Sequence, residues 1–250
     1  MAETSQKAAS RGWQGAVLKL LRADDYEFTV TSTDTITDHY LRIGLRGGGL
    51  LADHPIHPTM WVRLWFESDG SAHQRGYTIV DPDAGTDTFF IEFAVHEGAA
   101  LRWALAVRPG DTIGATFMGS KFTIRNPAPA GWLIAGDAAS LPAINSLLDA
   151  LSETLAPGAA TIWFEYSHAD DRELPIRVRP QDTVHWIERG ADGTAIVDAV
   201  RAAAAPQPDH FGWVALDSVA TRAVAQVFRT EYGLGKKGVK AQAYWQVDSK

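Results

Sequence analysis

The chain has 250 residues, 46% of them apolar and 21% charged, with a formal net charge of −7 and no cysteine. That length allows one large or two medium domains, and the acidic balance excludes a general nucleic-acid binder, which needs clustered Lys and Arg. Without cysteine there is no disulfide, thiolate-held zinc, Cys-ligated iron–sulfur cluster or thiol nucleophile.

The N-terminal stretch MAETSQKAASRGWQG carries no apolar run of signal-peptide length, and no later run approaches a membrane span. A cytoplasmic protein without membrane insertion is therefore expected. From there the first half reads as short strands. Alternation predicts strands over Glu27–Ser32 and His39–Leu45, with Gly47-Gly48-Gly49 breaking the pattern. Thr59–Ser68, Arg75–Asp81 and Asp87–His96 continue it, Ala99–Val107 switches to helical spacing, and Pro109–Gly119 returns to strand. This spacing suggests an antiparallel barrel or sandwich. Arg125–Gly131, RNPAPAG, opposes both helix and central strand and reads as a linker. Beyond it strands and helices alternate. WLIAGD is a buried strand, and Leu141, Ile144, Leu147, Leu148 and Leu151 share one helix face. ATIWFEYS, DTVHWIER and FGWVALD follow as strands, with GTAIVDAVRAAAA and SVATRAVAQVFRTEYG as helices. Such alternation predicts a parallel sheet with helices on both sides. The expected organisation is a barrel over residues 1–125, a linker over 126–130 and an α/β domain over 131–250.

Four stretches carry chemistry. In HQRGYTIVDPD, Tyr77 and Ile79 supply the apolar face of a strand, which leaves Arg75 and Thr78 unexplained. An arginine clamps phosphate, a tyrosine offers a flat stacking face and a threonine hydroxyl reaches a ring nitrogen; a surface arginine on a barrel strand is the competing reading. Gly98 precedes a short helix, so the N–H groups of Ala99 and Ala100 form an anion site in principle, although a glycine before a helix is most often only a turn. In IAGDAASLPAI a strand ends at Gly136-Asp137 and a helix opens at Pro142, a common mouth for a nucleotide, without the G-x-G-x-x-G fingerprint. Asp217 falls at the same rim, where ligands of open α/β sheets gather. Arg172, Arg177 and Arg179 are candidates to meet a 2′-phosphate. Lys236, Lys237 and Lys240, and Lys121 with Arg125, are basic groups against an acidic background that would attract an anionic ligand locally. Asp53, His54, His57 and His73 lie in a proline-containing connection, and no metal site is expected there.

Taken in order, RGYT, FAVHEGAALRWALAVRPGDTIGATFMG, WLIAGDAASLPAI, HWIERG, FGWVALDS and RTEYGLGKKGVKAQAYW resemble the siderophore-interacting protein family over about Glu27–Trp245. This is a branch of the ferredoxin-reductase-like flavoproteins that act as NAD(P)H-dependent ferric-siderophore reductases. The resemblance implies a six-stranded antiparallel FAD barrel followed by an α/β reductase domain. It implies that Arg75 grips the FAD phosphates, Tyr77 stacks on the isoalloxazine and Thr78 contacts its reactive edge. His96, Gly98, Ala99, Ala100, Trp103 and Ala104 would line the FAD. Gly136, Asp137, Leu141, Pro142, Ala143 and Asp217 would meet NADPH or NADH, and Lys236, Lys237 and Lys240 the ferric siderophore. Departures from the family pattern are Val80, Ala99, Ala138-Ala139-Ser140 and Leu216-Asp217. The expected activity is electron transfer through FAD to a ferric siderophore by a monomer. A general diaphorase-type reductase and a siderophore-binding flavoprotein without turnover are the alternatives.

Overall fold

The structure is a computed structural model that describes residues 25–68, 71–120, 122–156, 158–204, 206 and 209–246. The first sheet takes its strands in the order β4 (Ser71–Thr78), β3 (Trp61–Ser68), β7 (Thr112–Phe117), β1 (Asp25–Thr37), β2 (Tyr40–Arg46), β6 (Thr88–Ala94) and β5 (Val80–Asp83). Every pairing is antiparallel. A one-turn helix, α1 (Leu50–Asp53), follows β2, and α2 (Ala99–Ala106) follows β6.

β4 and β5 lie at opposite ends of that order, yet only Ile79 separates them in sequence. The two edges of the sheet must therefore meet, which curls it into a barrel and shields both edges from pairing with other chains. This also explains the strand count. The expected six strands are seven, because the single strand expected over Arg75–Asp81 breaks at Ile79, whose N–H turns to the carbonyl of Met60. Period-two alternation fills the interior: Val62, Leu64 and Phe66 are buried, while Trp61, Arg63 and Trp65 between them look outward. Ala100 and Ala104 of α2 close one side of this core.

The second sheet is parallel throughout, in the order β10 (Thr183–Glu188), β9 (Ala159–Tyr166), β8 (Gly131–Asp137), β11 (Phe211–Ala215) and β12 (Val239–Ala241). β8 is buried at every position, as a strand covered on both faces must be. Its Trp132 and Ile134 pack with Ile144 and Leu148 of α3 (Leu141–Glu153). Its Leu133 and Ala135 face the other layer, with Ile196 of α4 (Ala195–Ala202) and Val224 of α5 (Ser218–Gln226).

Several contacts join the two sheets. Tyr40 of β2 is buried in the α/β core and donates to Glu92 of β6 at 2.9 Å. The His39 imidazole meets Asp170 at 2.9 Å and stacks on His168 with ring centroids 3.6 Å apart. Arg177 donates to Asp81 at 2.9 Å, and the Thr59 N–H to the Ser146 hydroxyl at 2.9 Å. Among the described residues no helix is long and apolar enough to cross a membrane.

Candidate functional site

A cleft of about 610 Å³ opens between the β3–β4 hairpin and the C-terminal end of the α/β half. Its barrel wall includes Trp61, Arg63, Arg75, Tyr77 and Thr78. Its other wall includes Trp213 of β11, Lys240 of β12 and Tyr244. Arg63, Arg75 and Lys240 put three cationic side chains into this lining, and no carboxylate is among its described residues. In a chain of net charge −7 that is a local reversal of sign.

Hairpin register decides what the barrel wall presents. Trp61 pairs with Thr78, Val62 with Tyr77, Arg63 with Gly76 and Leu64 with Arg75, so neighbours along each strand turn to opposite faces. The Tyr77 ring lies 4.6 Å from Phe93 and 6.0 Å from Phe66, and Trp103 of α2 adds an edge 5.7 Å from Phe66. Burial in this aromatic group holds the Tyr77 phenol protonated well above its ordinary range, against the pull of Arg75. Arg75 is exposed and donates to the carbonyl of its neighbour Gln74 at 2.8 Å. Gly76 lies under the Trp61 indole, and a Cβ there would stand a tight 3.1 Å from the ring. Thr78 is buried near the Tyr244 phenol, and both line the cleft, one from each wall. Burial pushes that phenol up to about 12.

Of the residues expected to hold FAD, Arg75, Tyr77 and Thr78 line the cleft together. His96, Gly98 and Ala99 lie beyond β6 at the head of α2, outside that lining. Gly98 has φ +148°, which L side chains rarely adopt, and nothing stands within 4 Å of where its Cβ would be. No side chain caps the first N–H groups of α2. Ala100 and Ala104 point into the barrel core, and Trp103 is half-buried against it. Open space at Gly98, an uncapped helix start, an exposed arginine and a cationic, aromatic cleft fit a flat anionic cofactor of the FAD type.

The opposite rim is built differently. Asp137 at the end of β8 accepts the Ser140 N–H at 3.0 Å on one oxygen and the Trp245 indole N–H at 2.7 Å on the other. Asp217 caps α5, accepting from Val219 and Ala220 at 2.7 and 3.0 Å, and its second oxygen takes Arg189 at 3.1 Å. Arg189 also bonds one oxygen of Glu165, whose other oxygen is buried without a hydrogen-bond partner. The guanidinium lies 4.9 Å from the centre of the Trp245 ring. Burial pushes the Glu165 carboxyl up to about 7 and Asp137 up to about 6, against the opposing pull of Arg189 and of Trp245.

Gly136 has no room for a side chain, since a Cβ would meet the Ser140 hydroxyl at 2.4 Å and Ile144 at 2.6 Å. Leu141, Pro142 and Ala143 are buried in α3, so any contact they offer a ligand comes from their backbone. Lys240 lines the cleft, whereas Lys236 and Lys237 are exposed on the preceding turn outside that lining. Arg125 donates to the Lys237 carbonyl, and Lys121 lies outside the described residues. Arg177 bonds Asp81 and Asp149, and Arg179 is buried on Ala156, Gly158 and Asp182; neither is free for a 2′-phosphate. Arg172 lies 5.7 Å from the Tyr166 ring centre. Sequence reading missed Trp61, Arg63, Trp213 and Tyr244 as cleft residues. For the first two the signal was present: a tryptophan and an arginine at alternate, outward positions of a strand whose inner face is wholly apolar.

A curled antiparallel barrel, a parallel α/β sheet and a cationic cleft between them define a flavoprotein of the ferredoxin-reductase-like fold. A model of the siderophore-interacting FAD-binding domain matches residues 27–119, and one of the siderophore-interacting protein matches residues 129–248. The chain belongs to the siderophore-interacting protein family, and FAD is its cofactor. It is 33% identical over 242 residues to the mycobactin import ATP-binding/permease protein IrtA of Mycolicibacterium smegmatis, a match covering 94% of this chain and 27% of that protein. The chain thus spans about a quarter of the length of such curated relatives. The solved siderophore-interacting protein of Acinetobacter baumannii superposes with a TM-score of 0.78 at 22% identity, covering 91% of this chain and 92% of that one. Ferredoxin-NADP+ reductase from Plasmodium falciparum superposes with a TM-score of 0.67 at 11% identity, covering 88% and 96%. These last two likenesses are likenesses of fold.

Proposed function

We propose that the chain is an NAD(P)H-dependent ferric-siderophore reductase that works in the cytoplasm as a monomer and releases iron as Fe(II). The observation that carries the reading is the cleft whose described lining combines three cations with aromatic rings and no carboxylate. In this reading residues 1–125 form the FAD domain, 126–130 the linker and 131–250 the NAD(P)H domain. Ferric siderophores bind iron through hard oxygen donors that hold Fe(III) far better than Fe(II), so one added electron loosens the metal. Bound FAD supplies the step from a hydride donor to single electrons.

The chain's own residues bind and orient. Arg75 would hold the FAD phosphates, since a planar guanidinium suits phosphate in position as well as charge. The N–H groups of Ala99 and Ala100, opened by Gly98, offer a second anion contact next to His96. Tyr77, held by Phe66 and Phe93, would offer the flavin ring system a stacking face, and Trp103 and Ala104 support that wall from behind. Thr78 and Tyr244, one from each wall, close the site where its two walls meet. The nicotinamide donor is assigned to the carboxyl ends of β8 and β11, where Gly136, Leu141, Pro142 and Ala143 would meet it through their backbone and Asp137 and Asp217 hold the turns in shape. Lys240, supported by the field of Lys236 and Lys237, draws in the ferric complex. IrtA and its relatives are mycobactin importers by name, so a mycobactin-type ferric complex heads the substrate panel.

Anaerobic mixing tests the whole path. The FAD-loaded protein should bleach on adding NADPH or NADH and recover its oxidised absorbance on adding a ferric siderophore. Bleaching that no ferric complex reverses would leave a general diaphorase. A chain that refuses FAD supplied in excess would end the redox reading altogether.

A further inference from the structure

Thr59 holds a backbone conformation that its side chain opposes. Its φ is +56°, and among the described residues it is the only β-branched one with a positive φ. Such strain persists only where the surroundings over-determine it, and it clusters at functional sites. Here the residue is pinned on both sides. The Thr59 N–H donates to the Ser146 hydroxyl of α3 at 2.9 Å, and the carbonyl of the next residue, Met60, accepts the Ile79 N–H at 2.9 Å. Thr59 is buried, yet it lines the cleft, as does Ser120 just beyond β7.

The two hydroxyl oxygens lie 3.0 Å apart, and that of Ser120 also accepts the Phe122 N–H at 3.0 Å. Each hydroxyl carries a proton, and the bond between them uses only one of the two. The other proton meets no acceptor among the described residues, and the described cleft lining holds no carboxylate to take it. A donor left over on a pinned, strained residue suits an acceptor that the chain does not supply. The pair shares its wall with Thr78, the residue given to the reactive edge of the flavin, since Trp61, two positions on from Thr59, is the strand partner of Thr78.

We propose that the Thr59–Ser120 pair donates a hydrogen bond to a carbonyl oxygen of the flavin ring and so favours reduced over oxidised FAD. Reduction adds negative charge to the ring's oxygen and nitrogen atoms, and a donor already in place is worth more where charge has grown. This rests on the placement of the flavin in this cleft and is independent of which ferric complex is reduced.

The midpoint potential of bound FAD, measured by anaerobic titration against a redox dye, reports the ratio of affinities for the reduced and oxidised forms. Each single variant leaves one hydroxyl with its proton, so the double variant Thr59→Val with Ser120→Ala is the one that removes the donor. Its preference for reduced FAD should fall about tenfold, a potential about 30 mV lower for the two-electron couple. Thr59→Ser, which keeps the hydroxyl, should stay within about twofold of the wild-type preference. In Ser120→Ala the Thr59 hydroxyl loses the oxygen that aims it, and the infrared carbonyl band of bound oxidised FAD should rise in frequency as the hydrogen bond loosens. A pair that only ties loops together would lower the unfolding midpoint and leave potential and carbonyl band in place. A double variant that holds FAD at the wild-type potential therefore overturns the proposal. If the double variant fails to hold FAD, an unshifted carbonyl band in Ser120→Ala overturns it instead. A wild-type chain that takes no FAD would end the flavin reading as well, whereas unshifted values in a chain that binds FAD end this inference alone.

Discussion

Across the cleft, two sets of charged groups are held in opposite ways. On the barrel wall the exposed Arg75 guanidinium donates to the carbonyl of its own neighbour, and Lys240 faces it from β12. On the α/β rim Asp137 and Asp217 have both oxygens engaged by the protein, and Arg189 is shared between Glu165 and Asp217. The first arrangement leaves donors for something not part of the chain. The second is architecture, in which charge fixes the turns and the C-terminal Trp245. Eligibility by location at the end of a strand is therefore weaker evidence for a ligand contact than spare hydrogen-bonding capacity.

Removing charge from each set should separate the two sharply. Arg189→Met leaves buried Glu165 and Asp217 without their cation, and stability should fall by about 3–5 kcal/mol near neutral pH, measured by urea unfolding. That loss should shrink on acidification. Glu165 titrates at about 7 in the folded chain, above its ordinary carboxylate value, so the folded state binds the extra proton. Stability from this group is full at low pH and is lost as pH rises toward 7; Glu165→Gln should flatten that part of the profile. A cost of Arg189→Met that stays constant from pH 5 to pH 8 would refute the account of the rim.

On the barrel wall the expected changes are in binding, not folding. Arg75→Ala should weaken FAD by about 1.5–3 kcal/mol, roughly 10- to 150-fold, with an unchanged unfolding midpoint; the flavin-to-protein ratio after gel filtration reads it directly. Smaller effects should follow at the lysines. Lys240→Glu should raise the apparent KM for an anionic ferric complex several-fold and leave nicotinamide oxidation intact. The pair Lys236→Glu and Lys237→Glu, outside the lining, should move it by less than about twofold at moderate salt. Equal effects from both would mean that the field of the C-terminal turn matters more than contact. The smallest change expected is Tyr244→Phe, which removes one hydroxyl from the cleft lining and should cost no more than about 1 kcal/mol of stability by urea unfolding.

Much of the architecture was legible in the residues. Period-two alternation over Thr59–Ser68 and the return to strand–helix alternation after Gly131 come from burial of one strand face or both, and burial writes itself into sequence. The RGYT stretch drew notice because Tyr77 and Ile79 supply a strand's apolar face and leave Arg75 and Thr78 unexplained. Other features had no local mark. That Arg75–Asp81 breaks at Ile79 follows from closing the sheet, which depends on strands far apart in the chain.

The sequence by itself determined the two kinds of sheet and the family, because hydrophobic period and motif order are local properties. Only the tertiary structure decided that Trp61, Arg63, Lys240 and Tyr244 share one cleft while Asp137 and Asp217 spend their oxygens on the protein. Hydrogen-bond capacity is used up by partners that folding brings near, and Asp137 meets Trp245 across 108 positions of chain. No reading of either residue's neighbours in sequence contains that pairing.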